Sequence, residues 1–448
     1  MGSVIGGSRL RGRGEKRRNC AGPLSRPTRP YPARMARSKA ELRLHDGTAA
    51  RPAAPVPLGE VLGPVLDEAR ERAPSTVRGL YVHVPFCFHK CHYCDFYSFV
   101  DREGRSGAYL ERLSRDIDWT LGRLAGEIDT VFVGGGTPTL LTADELRKLT
   151  REIARLPLAR GVEWTVEANP ETLDREKADV LVEGGVNRVS IGAQSFDPRH
   201  LKTLERWHDP SSVARAAETL RAAGLVNFNL DLIFGIPGQT LAEWRADLAT
   251  ALALGPGHLS CYGLTYEPNT AMTKRLLKGE FEPCDDEVEA AMYDATRETL
   301  ADAGFAQYEI SNFARAGREC RHNLVYWRNE PWWAIGPSAS GFVEGHRFKV
   351  VPRLGDWLVR GEDDSQPVVD VEAPDEKRHA SEALMLGLRL MEGIDAALER
   401  RAVELEPARA AVFARAIAGG LLERTAAGRL RFTHRGALLA NEVLAEVV

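Results

Sequence analysis

Three cysteines, Cys87, Cys91 and Cys94, stand close together in the stretch YVHVPFCFHKCHYCDFYSF, spaced C-x3-C-x2-C. Thiolates are the usual ligands of iron–sulfur clusters. Three of them on one loop can hold three corners of a [4Fe–4S] cubane and leave the fourth iron without a protein ligand. A chelator with an amino and a carboxylate group, such as S-adenosylmethionine (SAM), completes that iron. One electron from the reduced cluster can then cleave the S–C5′ bond of SAM and yield a 5′-deoxyadenosyl radical. Structural zinc and inert thiols compete with this reading. Zinc takes four Cys or His ligands, usually in paired spacings, and His83, His89 or His92 could complete such a set.

A cluster loop needs a scaffold, and the chain supplies one from residue 80 onward. Short apolar runs at 80–85, 130–133, 164–167, 188–191, 227–233 and 259–264 read as strands. Helical patterns at 108–124, 143–154, 175–183, 211–223 and 241–254 separate them. Six β-α repeats in a row predict a parallel sheet, either a barrel or an open doubly wound sheet. The cysteines follow the first strand. GGGTP at residues 134–138 follows the second. Glu167, Gln194 and Asp231 stand at the ends of later strands. In parallel α/β folds the carboxyl edge is where ligands bind. Glycines there let the backbone approach a ligand, and free N–H groups can hold a carboxylate.

The alternation stops near residue 285. A helix is expected over 285–303, then a segment at 308–313 and an aromatic-rich connecting loop. HNLVYW at residues 322–327 lies in that loop, followed by Pro331, Trp332 and Trp333. A histidine can ligate haem iron and aromatic rings can pack on a porphyrin face, so His322 is a haem candidate. The alternative is a buried histidine hydrogen-bonded in an aromatic core. His83, His89, His92 and His208 are competing ligands. Residues 377–390 read as a helix. Residues 421–425 and 430–433 read as a hairpin, and a last helix starts near residue 435, an order like a winged-helix module.

The C-x3-C-x2-C motif after the first strand resembles that of the radical SAM superfamily. Within it the chain resembles the oxygen-independent coproporphyrinogen oxidase group, from about Leu80 to the C-terminus. The resemblance implies an α/β fold, a partial (β/α)6 TIM-like barrel with a C-terminal mixed α+β, winged-helix-like domain. It divides the chain into an N-terminal extension and linker (1–75), a radical SAM barrel (76–310), a connecting segment (311–373) and a C-terminal domain (374–448). It places Tyr81, Gly135, Gly136, Thr137, Glu167, Gln194, Arg206 and Asp231 around SAM, with Cys87, Cys91 and Cys94 on the cluster. True coproporphyrinogen dehydrogenases carry a fourth cysteine two residues beyond the third; here that residue is Phe96. With the CDF continuation and the H-N-x-x-Y-W signature, the chain is most similar to the HemW haem chaperone family. That likeness implies haem as cargo, delivery to haem-accepting respiratory proteins, and an electron donor for the cluster. It allows a homodimer and a peripheral site at the inner membrane. The alternative is a radical enzyme that decarboxylates coproporphyrinogen III.

Composition agrees with a globular protein of the reducing cytoplasm. Of 448 residues, 44% are hydrophobic and 27% charged, and the seven cysteines are too sparse for a disulfide scaffold. A net charge of −4 argues against a nucleic-acid binder. No apolar run is long enough to span a membrane. Residues 1–39 are rich in Arg, Gly and Pro and read as a disordered tail, since Gly and Pro spoil an amphipathic targeting helix. Met35 is a second candidate start. The Ala/Pro stretch at 49–57 reads as a linker and residues 58–72 as a short helix.

Overall fold

Six apolar strands run parallel and in sequence order through the computed structural model, which describes residues 54–72, 77–124, 126–359 and 364–447. They are β2 (Gly79–Val84), β3 (Ile128–Gly135), β4 (Leu158–Ala168), β5 (Arg188–Gln194), β6 (Phe228–Phe234) and β7 (His258–Gly263), with β1 (Val56–Pro57) preceding them. Their residues are mostly buried because both faces are covered, as in β6 (FNLDLIF), where Asp231 alone is half-buried. Helices Ser106–Leu121, Ala143–Ile153, Arg175–Glu183, Pro210–Ala222 and Leu241–Ala253 connect the strands. Two of them begin with a full capping box, Thr142 with Glu145 and Thr240 with Glu243. The main core lies between helices and sheet and includes Leu80, Val131, Trp164, Leu230 and Trp244.

The segment expected to be a connecting loop is instead structured. Helix Arg321–Trp327 is followed by β10 (Trp332–Ile335), β11 (Ser340–Val343), β12 (His346–Val350) and β13 (Pro367–Glu372). Strand β10 pairs in parallel with β2, Trp332 opposite Gly79. Strands β11 to β13 then continue outward as an antiparallel meander. On the far side, β8 (Ala306–Gln307) and β9 (Asn312–Ala314) add antiparallel to β7. The result is one sheet ordered β1-β13-β12-β11-β10-β2-β3-β4-β5-β6-β7-β9-β8, whose outer strands do not pair. It is a partial barrel with both flanks extended.

The expected boundary at residue 75 also shifts. Val56 and Pro57 pair with Val368 and Pro367 of β13. Helix Leu58–Arg72 then buries Leu58, Leu62 and Leu66 in the main core. Hydrophobic spacing, rather than the preceding Ala/Pro composition, decides where the folded part begins. The basic tail and the first residues of the Ala/Pro stretch lie outside the described residues.

Beyond residue 375 a second core forms around Leu384, Phe413, Leu430, Phe432 and Leu444. Helices Glu376–Gly387, Ala396–Leu405 and Ala408–Ala418 precede the hairpin β14 (Leu422–Arg424) and β15 (Leu430–Phe432). The final helix is broken into His434–Leu438 and Ala440–Val447.

Candidate functional site

Strand β2 ends at Val84, and the chain leaves it in the loop that carries the three cysteines. The base of that loop is closed by backbone: Cys87 N–H donates to the Phe99 carbonyl (2.9 Å) and Phe99 N–H to that of Pro85 (3.0 Å). Lys90 Nζ crosses inside, donating to the carbonyls of Phe96 (2.7 Å) and Ser98 (3.2 Å). Cys87, Cys91 and Cys94 are half-buried and unbridged. Burial pushes the Cys94 thiol up to about 11, and Cys87 is raised by the same cause. Loading a metal group here therefore releases protons.

The residues fit a three-thiolate cluster better than zinc. With Zn–S of about 2.3 Å, tetrahedral ligands stand within about 4 Å of one another. The three sulfurs are not all within 4.8 Å of each other. His83 is also spent: its Nε2–H donates to the Tyr97 carbonyl (2.7 Å), so Nδ1 accepts from Tyr81 Oη (3.0 Å). Among the described residues, one set of three ligand atoms is that compact, Asp197, His200 and Glu243. Its two carboxylates are already bridged by Arg199.

The glycine run after β3 lies directly under the cluster loop. Gly136 N–H donates to the Val84 carbonyl (2.8 Å) and Thr137 N–H to that of Phe86 (2.7 Å). Thr137 Oγ1 stands 3.8 Å from Cys87 Sγ. Gly135 adopts φ 104°, and its N–H donates to Glu167 Oε2 (3.0 Å). A Cβ on Gly134, Gly135 or Gly136 would stand 2.6, 2.3 or 2.6 Å from its neighbour. All three glycines are thus required by close approach.

The other expected SAM residues converge on the same edge. Arg206 Nη1 lies 3.6 Å from Cys91 Sγ, and its Nη2 donates to the Gly192 carbonyl (2.6 Å). Its Nε is buried without a partner among the described residues. Gln194 sits at a register shift in β5 with φ 63°, its amide beside Gly192. Tyr81, Gly135, Glu167 and Asp231 line a cavity of about 810 Å³ that also receives Asp95, Phe96 and Tyr97 from the cluster loop. Burial, then the nearby Asp231 charge, pushes the Glu167 carboxyl up to about 7. Asp231 is raised by burial against three hydrogen bonds that lower it. Asn229 Nδ2 stands 2.7 Å from Asp231 Oδ1, 2.7 Å from Ser190 Oγ and 3.0 Å from Ser260 Oγ, within donating reach of each. Ser190, Asn229 and Ser260 line the cavity as well. They went unnoticed in the sequence, although a polar residue inside an apolar parallel strand is itself a signal.

His322 occupies the opposite end of the cavity. Helix Arg321–Trp327 packs against the start of β2, where a Cβ on Gly79 would stand 3.1 Å from His322 Cε1. The ring is stacked on Phe132. Its Nδ1 meets Thr130 Oγ1 (2.9 Å) and its Nε2 meets Tyr326 Oη (2.8 Å). Burial lowers it to about 3. His322 is a neutral part of an aromatic floor with both ring nitrogens hydrogen-bonded. This is the hydrogen-bonded histidine of an aromatic core that the sequence offered as the alternative to a haem candidate.

Residues 81–251 match the model of the radical SAM superfamily. The haem chaperone HemW of Bacillus subtilis (strain 168) is 36% identical over 372 residues, covering 82% of this chain and 98% of the relative. HemW of Mycobacterium tuberculosis (strain ATCC 25618 / H37Rv) is 37% identical over 376 residues, covering 83% and 95%. HemW of Escherichia coli (strain K12) reaches 42% over 269 residues, covering 59% and 70%. Among solved structures, coproporphyrinogen III oxidase (HemN) from Escherichia coli, a radical SAM enzyme, superposes with a TM-score of 0.73. It is 21% identical and covers 86% of this chain and 92% of its own, a likeness of fold. With a three-cysteine loop over a glycine cradle, and with relatives matched along nearly their whole length, the chain belongs to the HemW family of the radical SAM superfamily.

Proposed function

We propose that this chain is a haem chaperone: it holds a [4Fe–4S] cluster through Cys87, Cys91 and Cys94, binds SAM beside it, receives haem in the adjoining cavity and passes haem to acceptor proteins. The observation that carries this reading is the continuity of one cavity from the cluster loop to an aromatic floor of Phe132, His322, Tyr326 and Trp332. Aromatic rings offer a porphyrin face the offset and edge contacts it favours. Phe96, 61% exposed beside the cysteines, occupies the position where coproporphyrinogen dehydrogenases carry a cysteine, and favours binding and transfer over decarboxylation.

Bound together, the cluster and SAM supply a one-electron reduction of a sulfonium. This chain's residues position the pair. The Arg206 guanidinium would pair with the carboxylate of SAM, and the glycine run, whose N–H groups are spent on Glu167, Val84 and Phe86, would let the backbone come close to it. Glu167 and Asp231 accept from its hydroxyls or ammonium. Haem-accepting respiratory proteins are the proposed acceptors, with a separate electron donor for the cluster. A homodimer and a peripheral place at the inner membrane belong to the same reading. Among the described residues no helix is long and apolar enough to cross a membrane.

The Glu167 carboxyl gives this reading a pH signature. Its folded value near 7 lies above the ordinary carboxylate range, so the proton stays on below that pH. A carboxylate accepts from an ammonium or hydroxyl better than a neutral acid does. SAM affinity should therefore rise as pH increases from 6 to 8 and level off above. Glu167→Gln should weaken binding at pH 8 and flatten the profile; calorimetric titration of SAM at three pH values checks it.

Anaerobic incubation with coproporphyrinogen III, SAM and a reductant tests the function, alongside haem titration. Saturable haem binding without protoporphyrinogen formation is expected. Protoporphyrinogen formation would assign the chain to decarboxylation instead.

A further inference from the structure

The extension of the sheet beyond β2 brings a cation into the cavity that the SAM residues do not use. Lys349 lies on β12, directly opposite Ser340 of β11 in the antiparallel register. Ser338 precedes β11 in a left-handed conformation (φ 68°), tied back by its N–H to the Val351 carbonyl (3.1 Å). All three residues line the cavity. The Lys349 ammonium makes no hydrogen bond or ion pair among the described residues, and neither serine hydroxyl has a partner there.

The two arginines that line the cavity stand near carboxylates. Arg347, on the same strand, bonds Glu382 (2.7 Å) and Asn329 (2.6 Å) and stacks 4.3 Å from the Phe342 centroid. Arg188 is buried near the charges of Glu163 and Asp231, with its Nε unpartnered among the described residues. Glu167 and Asp231 stand on β4 and β6, across the barrel from β12. Lys349 is half-buried against the cavity wall, and its ammonium can still take an anion. Two hydroxyls and an ammonium on one wall make a carboxylate seat.

We infer that Lys349, with Ser338 and Ser340, binds a carboxylate of the cavity's cargo, a propionate of the tetrapyrrole. The inference rests on the haem reading of the same cavity. SAM is the other source of a carboxylate. Its carboxylate must reach the cluster iron together with its amine, beside Arg206, which lies 3.6 Å from Cys91 Sγ. Lys349 lies three strands from β2 on the side away from β3. A flat dicarboxylic ligand lying along the wall formed by Tyr326 and Trp332 would present its acidic edge there.

Haem and haem dimethyl ester, titrated into the reconstituted full chain, test this. The wild-type protein should bind haem about tenfold more tightly than the ester, the scale of one charge-assisted hydrogen bond. Lys349→Gln should weaken haem by a similar factor, leave the ester unchanged and leave SAM affinity unchanged. Lys349→Arg should retain haem binding and guards against a fold defect in the first variant. Equal binding of haem and ester by the wild type, or a Lys349→Gln variant that loses SAM rather than haem, overturns the inference. A wild-type protein that binds no haem overturns the haem reading as well.

Discussion

Replacing Cys87, Cys91 and Cys94 together with alanine should reduce the iron content of anaerobically reconstituted protein to background and abolish its broad visible absorption. The three side chains are the thiols gathered on one loop among the described residues, and they are half-buried rather than packed in a core. Removing them takes nothing from the packing around Trp164 and Leu230, so far-UV circular dichroism should be unchanged. The loop keeps its closure through Phe99 and its internal bonds from Lys90. Cys320 supplies the control. It is buried, its thiol is pushed up to about 12 by burial, and its Sγ points to Glu163 Oε1 at 3.7 Å. Cys320→Ala should keep the full absorption. If the triple variant still takes up a cluster, the ligand assignment is wrong.

Gly135→Ala should be the most damaging single substitution in the SAM cradle. An added methyl would stand 2.3 Å from His83 Cε1 and 2.4 Å from Nδ1. That ring cannot swing aside, because Tyr81 and the Tyr97 carbonyl hold both nitrogens. The backbone at φ 104° is also unfavourable for any residue with a Cβ. Overpacking and backbone strain together amount to roughly 2–5 kcal/mol. Urea unfolding should show that loss, and SAM affinity should fall at least tenfold as the N–H bonded to Glu167 moves. Gly107→Ala reverses the sign. It sits in helix Ser106–Leu121 with nothing within 4 Å of a Cβ, and should gain up to about 1 kcal/mol. Equal effects of the two would remove the argument for a cradle.

Most parts of the site legible in the sequence stand at or just beyond the carboxyl end of a strand recognisable from its own local pattern; Asp231, expected at such an end, lies in the middle of β6. Cys87, Gly135 and Glu167 could be placed on one edge because parallel β-α repeats bring their carboxyl ends to the same side. The rest depends on pairings that local pattern does not encode. Trp332–Ile335 is a four-residue strand whose parallel partner, β2, lies far earlier in the chain. Without that pairing its aromatics read as a loop, and Lys349 on the following meander has no reason to face the cavity. His322 was ambiguous for the same cause. Tyr326 is one helical turn away, but Thr130 is distant in sequence, and only the fold shows both ring nitrogens engaged. Val56 and Pro57 looked like linker by composition and became a strand through β13.

The electron paramagnetic resonance spectrum of the reduced, reconstituted full chain, recorded without and with excess SAM, bears most directly on whether three sulfur ligands leave one iron open. The account predicts a [4Fe–4S] signal whose shape changes when SAM is added. A cluster signal that stays the same at saturating SAM would contradict it.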